Sequence, residues 1–158
     1  MLLSDFKPSY SEADRRILLD IAARSVVEGV NAQRPLPVRV SDFSEPLQQP
    51  RGCFVTLRIQ QRLRGCMGTL TAKRSLVEDV AYNAYSSALR DPRFAPVTVA
   101  EVDQLDVHLS VLSEAVPINF ASIDDLMQRI RPGIDGLIVR SGRRTGTLLP
   151  AVWKQLPD

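Results

Sequence analysis

Between residues 17 and 30 the apolar positions Ile17, Leu18, Ile21, Ala22, Val26 and Val30 return at intervals of three and four, the spacing that lines one face of an α-helix. Ser11 and Asp14 stand three apart just ahead of them, an N-terminal capping signature, so the pattern predicts an amphipathic helix ending near Gly29 to Asn31. From Arg34 to Pro50 the periodicity fades among Pro35, Pro37, Pro46 and Pro50. Proline removes a backbone donor, so this stretch reads as a long irregular connection. Residues 53–59 and 63–70 then alternate as two strands, joined by Gln60-Gln61-Arg62, a link short enough only for a hairpin. Ser75 and Glu78 form a second capping box, and Leu76, Val77, Val80, Ala81, Ala84 and Ala88 give the helix behind it a buried face until Asp91-Pro92 stops it. Leu105, Val107, Leu109 and Val111 alternate with polar residues as a strand, residues 122–130 read as a short capped helix, and residues 136–140 and 145–149 as a hairpin around Gly142-Arg143-Arg144. Hairpins outnumber strand-helix-strand units. The expected class is α+β, an antiparallel sheet with helices packed on it.

Parity within the first hairpin carries further information. Val55, Leu57, Ile59, Leu63 and Met67 are all odd-numbered and apolar, so a register that buries them together places Cys53 on the apolar face. Phe54, Thr56, Arg58, Arg64, Cys66 and Gly68 fall on the other. The two thiols then point oppositely, and two free thiols are expected, as in a reducing compartment.

Composition narrows the function classes. The chain has 158 residues, 44% hydrophobic and 24% charged, with a net charge of +2 built from 17 Arg and 3 Lys against 18 acidic residues. That is the composition of one soluble domain, and near-balanced charge with 6% aromatic content makes nucleic acid an unlikely partner. The opening Met1-Leu2-Leu3-Ser4-Asp5-Phe6 meets an acid before any secretory apolar run, and nothing in the sequence spans a membrane, so a cytoplasmic location is expected. Two Cys and one His cannot assemble the usual Cys/His metal sites, and phosphate-cradling and dinucleotide motifs are absent. No metal and no cofactor is expected.

The chemistry therefore gathers around Cys66. Arg64 and Arg58 on its expected face would favour a nucleophilic thiolate, while Gly65 and Gly68 would let a ligand or backbone approach and aim N–H groups at an anion. A small buried thiol in a glycine-kinked strand explains the same residues. In Asp91-Pro92-Arg93-Phe94, Arg93 reads as an anion hook or as a local partner for Asp91 at a helix stop. His108, the only imidazole, lies on the wetter side of its strand with nothing in the sequence linking it to Cys66. Gly142-Arg143-Arg144-Thr145-Gly146 is explained as a charged hairpin tip, with phosphate binding as the alternative.

Several segments carry a resemblance. Residues 52–57, Leu63-Arg64-Gly65-Cys66-Met67-Gly68-Thr69, Asp91-Pro92-Arg93-Phe94, Leu105-Asp106-Val107 with Ser110-Val111-Leu112, and residues 133–138 are similar to the AMMECR-one domain family, whose bacterial and archaeal members are called protein A of the AmmeMemoRadiSam system. The similarity runs from about Ser11 to Trp153. It implies a compact, two-lobed α+β domain over residues 1–158, and it implies partners: a Memo-like, dioxygenase-fold protein and a radical S-adenosylmethionine enzyme. It implies no particular reaction. Its signature cysteine falls on Cys66, a hypothetical catalytic residue, with Arg64, Gly65, Gly68, Asp91 and Arg93 as hypothetical binding residues. Family members usually continue into a further C-terminal helix where this chain stops at Gln155-Leu156-Pro157-Asp158. Two uses fit these residues: a binding or adaptor module, and a Cys66-dependent acyl- or thiol-transfer enzyme.

Overall fold

Two capping boxes set the helical frame. In the computed structural model Ser11 Oγ accepts from the Asp14 N–H at 3.0 Å while Asp14 accepts from the Ser11 N–H at 3.0 Å, and Ser75 and Glu78 make the same reciprocal pair. Each satisfies helix N–H groups that have no intrahelical partner. In chain order the elements are β1 (Leu2–Leu3), α1 (Glu12–Ala32), a 3-10 turn (Val40–Asp42), α2 (Glu45–Gln48), β2 (Cys53–Ile59), β3 (Arg62–Gly68), α3 (Leu76–Leu89), α4 (Val99–Val102), β4 (Asp106–Val111), β5 (Ala115–Val116), α5 (Ile123–Arg129), β6 (Gly136–Ser141) and β7 (Arg144–Leu148). The class is α+β. The structure describes residues 2–3, 10–142, 144–148, 150 and 153. The hairpin-tip residue Arg143, most of the opening stretch and the C-terminal residues 155–158 lie outside the described residues.

The chain divides into two units, Pro8–Leu112 and Met1–Lys7 with Ser113–Asp158. The larger is a three-stranded sheet of order β3-β2-β4, antiparallel throughout, with α1 and α3 on one face. Its core joins Leu18, Ile21, Ala22 and Val26 of α1, Val55 and Leu57 of β2, and the expected apolar face of α3. The α1 stripe differs from expectation at one flank. Ile17 is 37% exposed, and the small residues Ser25 and Gly29 are buried in its place. Ser25 Oγ donates to the Ala81 carbonyl at 2.6 Å, and the Tyr85 ring lies 2.9 Å from where a Gly29 Cβ would stand. Small residues pack against a helix as closely as apolar ones do, and periodicity of apolar residues does not count them. Within residues 34–50 the 3-10 turn and the one-turn helix α2 do form, the latter because Pro46 sits in its first turn, where a missing N–H costs nothing.

The hairpin pairs Val55 with Met67 and Phe54 with Gly68, the expected parity, and turns on two residues, Gln60 and Gln61, with φ of 49° and 65°. Positive φ at both positions is the geometry whose twist matches the strands. The register then slips: Leu57 faces Gly65 but Arg58 faces Leu63, so Arg64 is the extra residue of a β-bulge. The slip moves Leu63 to the outer face, where it is 39% exposed instead of buried as expected. The two cysteines are unpaired, Cys53 buried on the core face and Cys66 half-buried on the other.

The smaller unit is an antiparallel sheet of order β5-β1-β6-β7 with α5. The β6-β7 hairpin is the one expected, and the two-residue strands β1 and β5 lie below the length at which alternation is readable. Asp135 is buried, its carboxylate accepting from Arg131 Nε at 3.0 Å and Nη2 at 2.7 Å, and Trp153 Nε1 donates to its carbonyl at 2.7 Å. Among the described residues no helix is long and apolar enough to cross a membrane.

Candidate functional site

β3 is an edge strand, and an edge presents backbone donors and acceptors with no neighbour. At Cys66 the residues after α3 supply the missing partners. Asp91 Oδ2 accepts from the Cys66 N–H at 2.8 Å and Arg93 Nη2 donates to the Cys66 carbonyl at 3.1 Å. A carboxylate and a guanidinium thus stand in for the C=O and N–H of an absent fourth strand. Asp91 is buried, and it also accepts from the Arg93 backbone N–H at 3.1 Å, Nε at 2.9 Å and Nη2 at 2.7 Å. These bonds, the Arg93 side chain first, hold its carboxyl well below the usual carboxylate range. Pro92 keeps Asp91 extended so that the helix ends there, and the Arg93 guanidinium lies over the Phe94 ring at 5.5 Å.

The thiol of Cys66 faces the side of the sheet away from α1 and α3. Its sulfur is 3.2 Å from Thr56 Oγ1, and the register sets Cys66, Thr56 and His108 in one row across β3, β2 and β4. His108 is exposed and two strand spacings from Cys66, roughly 10 Å, and no hydrogen bond joins them. The cation beside the thiol is Arg93. Its pKa is raised, chiefly by Asp91 and also by the neighbouring Cys66.

Arg64 and Arg58 are engaged elsewhere. From the bulge, Arg64 Nε and Nη2 grip both Glu101 oxygens at 2.8 and 3.1 Å, while Nη1 and Nη2 donate to the carbonyls of Ala95 and Pro96 at 2.9 and 3.2 Å. Arg58 Nη1 donates to the Gln61 carbonyl at 3.0 Å, closing the hairpin turn. Each glycine makes room for the protein itself. A Cβ on Gly65 would stand 2.1 Å from the Ser87 carbonyl of α3, and one on Gly68 would stand 2.3 Å from the Phe54 ring. Both positions sit under a neighbour that no side chain could clear. Ser87 also stitches α3 into the hairpin, its hydroxyl accepting from the Met67 N–H at 2.9 Å and donating to the Val55 carbonyl at 2.8 Å.

Cys53 is sealed in the core. Its sulfur lies 3.5 Å from Asp79 Oδ2 and from Asn83 Nδ2, and burial, with Asp79 adding to it, pushes its thiol far above the ordinary range. Arg64, Gly65, Cys66, Gly68, Asp91 and Arg93 are therefore neighbours in space, but only Asp91 and Arg93 bond to Cys66. Sequence reasoning placed Thr56 on the face of Cys66 without giving it a contact there, and missed Ser87 and Glu101. Thr56 alone had a usable signal, since strand parity puts it opposite Cys66.

The AMMECR1 family model matches residues 19–157. The chain belongs to the AMMECR1 family. A protein of Methanothermobacter thermautotrophicus is 38% identical over 142 residues, a span covering 90% of this AMMECR1 chain and 73% of the relative. Protein MJ0810 of Methanocaldococcus jannaschii is 36% identical over 132 residues, covering 82% of this chain and 65% of its own length. The crystal structure of an uncharacterized protein from Pyrococcus horikoshii superposes with a TM-score of 0.78 at 35% identity, covering 86% of this chain and 68% of that one. This AMMECR1 chain spans part, not all, of those relatives' lengths.

Proposed function

We propose that this AMMECR1 chain is a binding or adaptor component that acts with a Memo-like protein and a radical S-adenosylmethionine enzyme through the surface around Cys66. The observation that carries the reading is the state of Arg93. Its Nε and Nη2 are fixed by Asp91 and the Cys66 carbonyl, while Nη1 makes no hydrogen bond among the described residues and the side chain is 53% exposed. A guanidinium oriented in advance and left with free donors is suited to anchor a partner's carbonyl or carboxylate. Among the described residues no base hydrogen-bonds to the thiol beside it. Asp91 is a poor proton acceptor with its pKa held down, and His108 is two strands away. The open face carries mixed chemistry, Phe54, Thr56, His108 and Ser110, which fits a recognition surface.

The experiment is an affinity titration of the Memo-like partner against wild type, Ser110→Arg and His108→Glu. Both residues are exposed and neither is in the core, so the folded state survives while binding falls by about tenfold or more, the loss expected for a charge forced into an interface. Unchanged affinity in both variants overturns the reading. A second reading is Cys66-dependent acyl or thiol transfer. The one observation that favours it is the Arg93 guanidinium beside the Cys66 sulfur.

A further inference from the structure

The two edges of the larger sheet are treated differently. At β3 the edge is closed by Asp91 and Arg93, whereas β4 forms the other edge of the β3-β2-β4 sheet. Which groups of β4 face outward follows from one bond. The Leu112 N–H donates to the Gly52 carbonyl at 2.9 Å, and these residues are directly opposed in the β2-β4 register. Opposed pairs in an antiparallel ladder alternate between bonded and unbonded. The bonded pairs are therefore Phe54 with Ser110, Thr56 with His108 and Arg58 with Asp106. Val107, Leu109 and Val111 turn their N–H and C=O groups away from β2, and none of these groups has a partner among the described residues.

Beside that edge, on the core side, is a cavity of about 330 Å³ lined by Tyr10, Arg15, Leu18, Leu19, Leu109 and Val111. All six belong to the larger unit. The side chains of Leu109 and Val111 are half-buried, and Leu19 is 41% exposed. Among the described residues the rim holds one charge, Arg15, which has no ion pair there, and no acidic residue lines the cavity. An open strand edge, an apolar cavity under its alternate side chains and an uncompensated guanidinium together describe a receptor for an extended chain.

We propose that β4 accepts an extended segment of another protein as an added strand, with an apolar side chain in the cavity and a carboxylate at Arg15. Backbone hydrogen bonds to Val107, Leu109 and Val111 supply the register, and the cavity selects the apolar position. A second copy of this chain is the poorer occupant. Pairing β4 with itself about a twofold axis brings two like-charged Arg15 groups to one seam, where they repel. The Cys66 reading uses the side chains of His108 and Ser110 on the same strand, whereas this one uses the outward backbone of β4, the core-side cavity and Arg15, so Arg15→Glu and the N-methylated peptides test it separately.

The probe is a fluorescein-labelled peptide, Thr-Leu-Thr-Val-Thr-Glu-Thr with blocked ends, titrated by anisotropy against the full chain. A Lys-for-Glu peptide and two N-methylated versions, one methylated at Leu and Val and one at the intervening Thr residues, complete the set. Saturable binding is expected, stronger for the Glu peptide by about fivefold as for a partly exposed ion pair, and abolished by one methylated set but not the other. Arg15→Glu should invert the preference between the Glu and Lys peptides, a gain that misfolding cannot produce. Val111→Pro removes an outward N–H and no β2 bond, and it should weaken both peptides by about tenfold, two such edge bonds being lost or distorted. No saturation by about 1 mM, or binding indifferent to both methylated sets and to Arg15→Glu, overturns the proposal. A chain that light scattering shows as a dimer, and that Val111→Pro makes a monomer, also overturns it and assigns the edge to a second copy.

Discussion

Replacing Arg64 by lysine keeps the charge and discards the fork, so it separates two roles for that residue. Arg64 is 16% exposed in its side chain and makes four hydrogen bonds, two to Glu101 and one each to the Ala95 and Pro96 carbonyls. An ammonium carries its donors on one atom and cannot span both carboxylate oxygens and two carbonyls, so at least two bonds are lost. Bonds to charged groups contribute about 1.5–3 kcal/mol each, reduced here because water reaches part of the site, which gives a net loss of about 2–3 kcal/mol. With a urea m-value of about 2 kcal/mol/M the unfolding midpoint falls by about 1–1.5 M. The assay is urea unfolding followed by far-UV circular dichroism, paired with the iodoacetamide rate at Cys66 in the folded protein. The expected result is a lowered midpoint with an alkylation rate within about twofold of wild type. An unchanged midpoint with markedly slower alkylation would show that Arg64 acts on the thiol through its charge, and the staple reasoning would be wrong.

Gly65→Ala places a methyl 2.1 Å from the Ser87 carbonyl, and backbone must move to admit it, so stability falls by about 3 kcal/mol or more; Gly146→Ala, with nothing within 4 Å, stays within about 0.5 kcal/mol, and calorimetry that ranks the two equally refutes the packing argument. Glu101 is held down to about 2, first by the Arg64 hydrogen bonds. Its contribution is therefore complete above its unfolded pKa near 4.5 and is lost as pH falls towards about 2. Glu101→Gln should flatten the fall of the urea midpoint over that window, leaving the part due to Asp91, Asp14 and Asp135, whose carboxyls are also held down, and an unaltered slope would contradict the assignment. Cys53 is fully buried with its thiol pKa pushed up, so iodoacetamide should label Cys66 at least about tenfold faster at neutral pH. Mass spectrometry gives both rates, and equal values would mean the core opens as readily as the face.

What the sequence made legible was local. Ser11 with Asp14 and Ser75 with Glu78 announce their helices because a capping box is complete within four residues. The opposite placement of Cys53 and Cys66 follows from strand parity, which survives along the stretch where both lie. The bulge at Arg64 was not legible. Leu63-Arg64-Gly65 alternates equally well with or without an extra residue, and only the pairing with Arg58 shows the slip. Partners distant in sequence were hidden too, Arg64 with Glu101 37 residues on and Asp91 with the Cys66 backbone 25 residues back. Gly65 and Gly68 signalled close approach correctly in kind, but what approaches is the Ser87 carbonyl and the Phe54 ring. The row from Cys66 through Thr56 to His108 required knowing that β4 pairs with β2, a choice that alternation leaves free.

The central claim is that the surface around Cys66 binds a partner and has no need of a thiolate. Cys66→Ser tests it most directly, since serine keeps the size and the hydrogen bond to Thr56 while removing the nucleophile. Affinity for the Memo-like partner and the partner's function are measured together in wild type and Cys66→Ser. The account predicts that both remain within about twofold of wild type. Intact affinity with the partner's function lost would contradict it, because a surface that only docks makes no use of the sulfur.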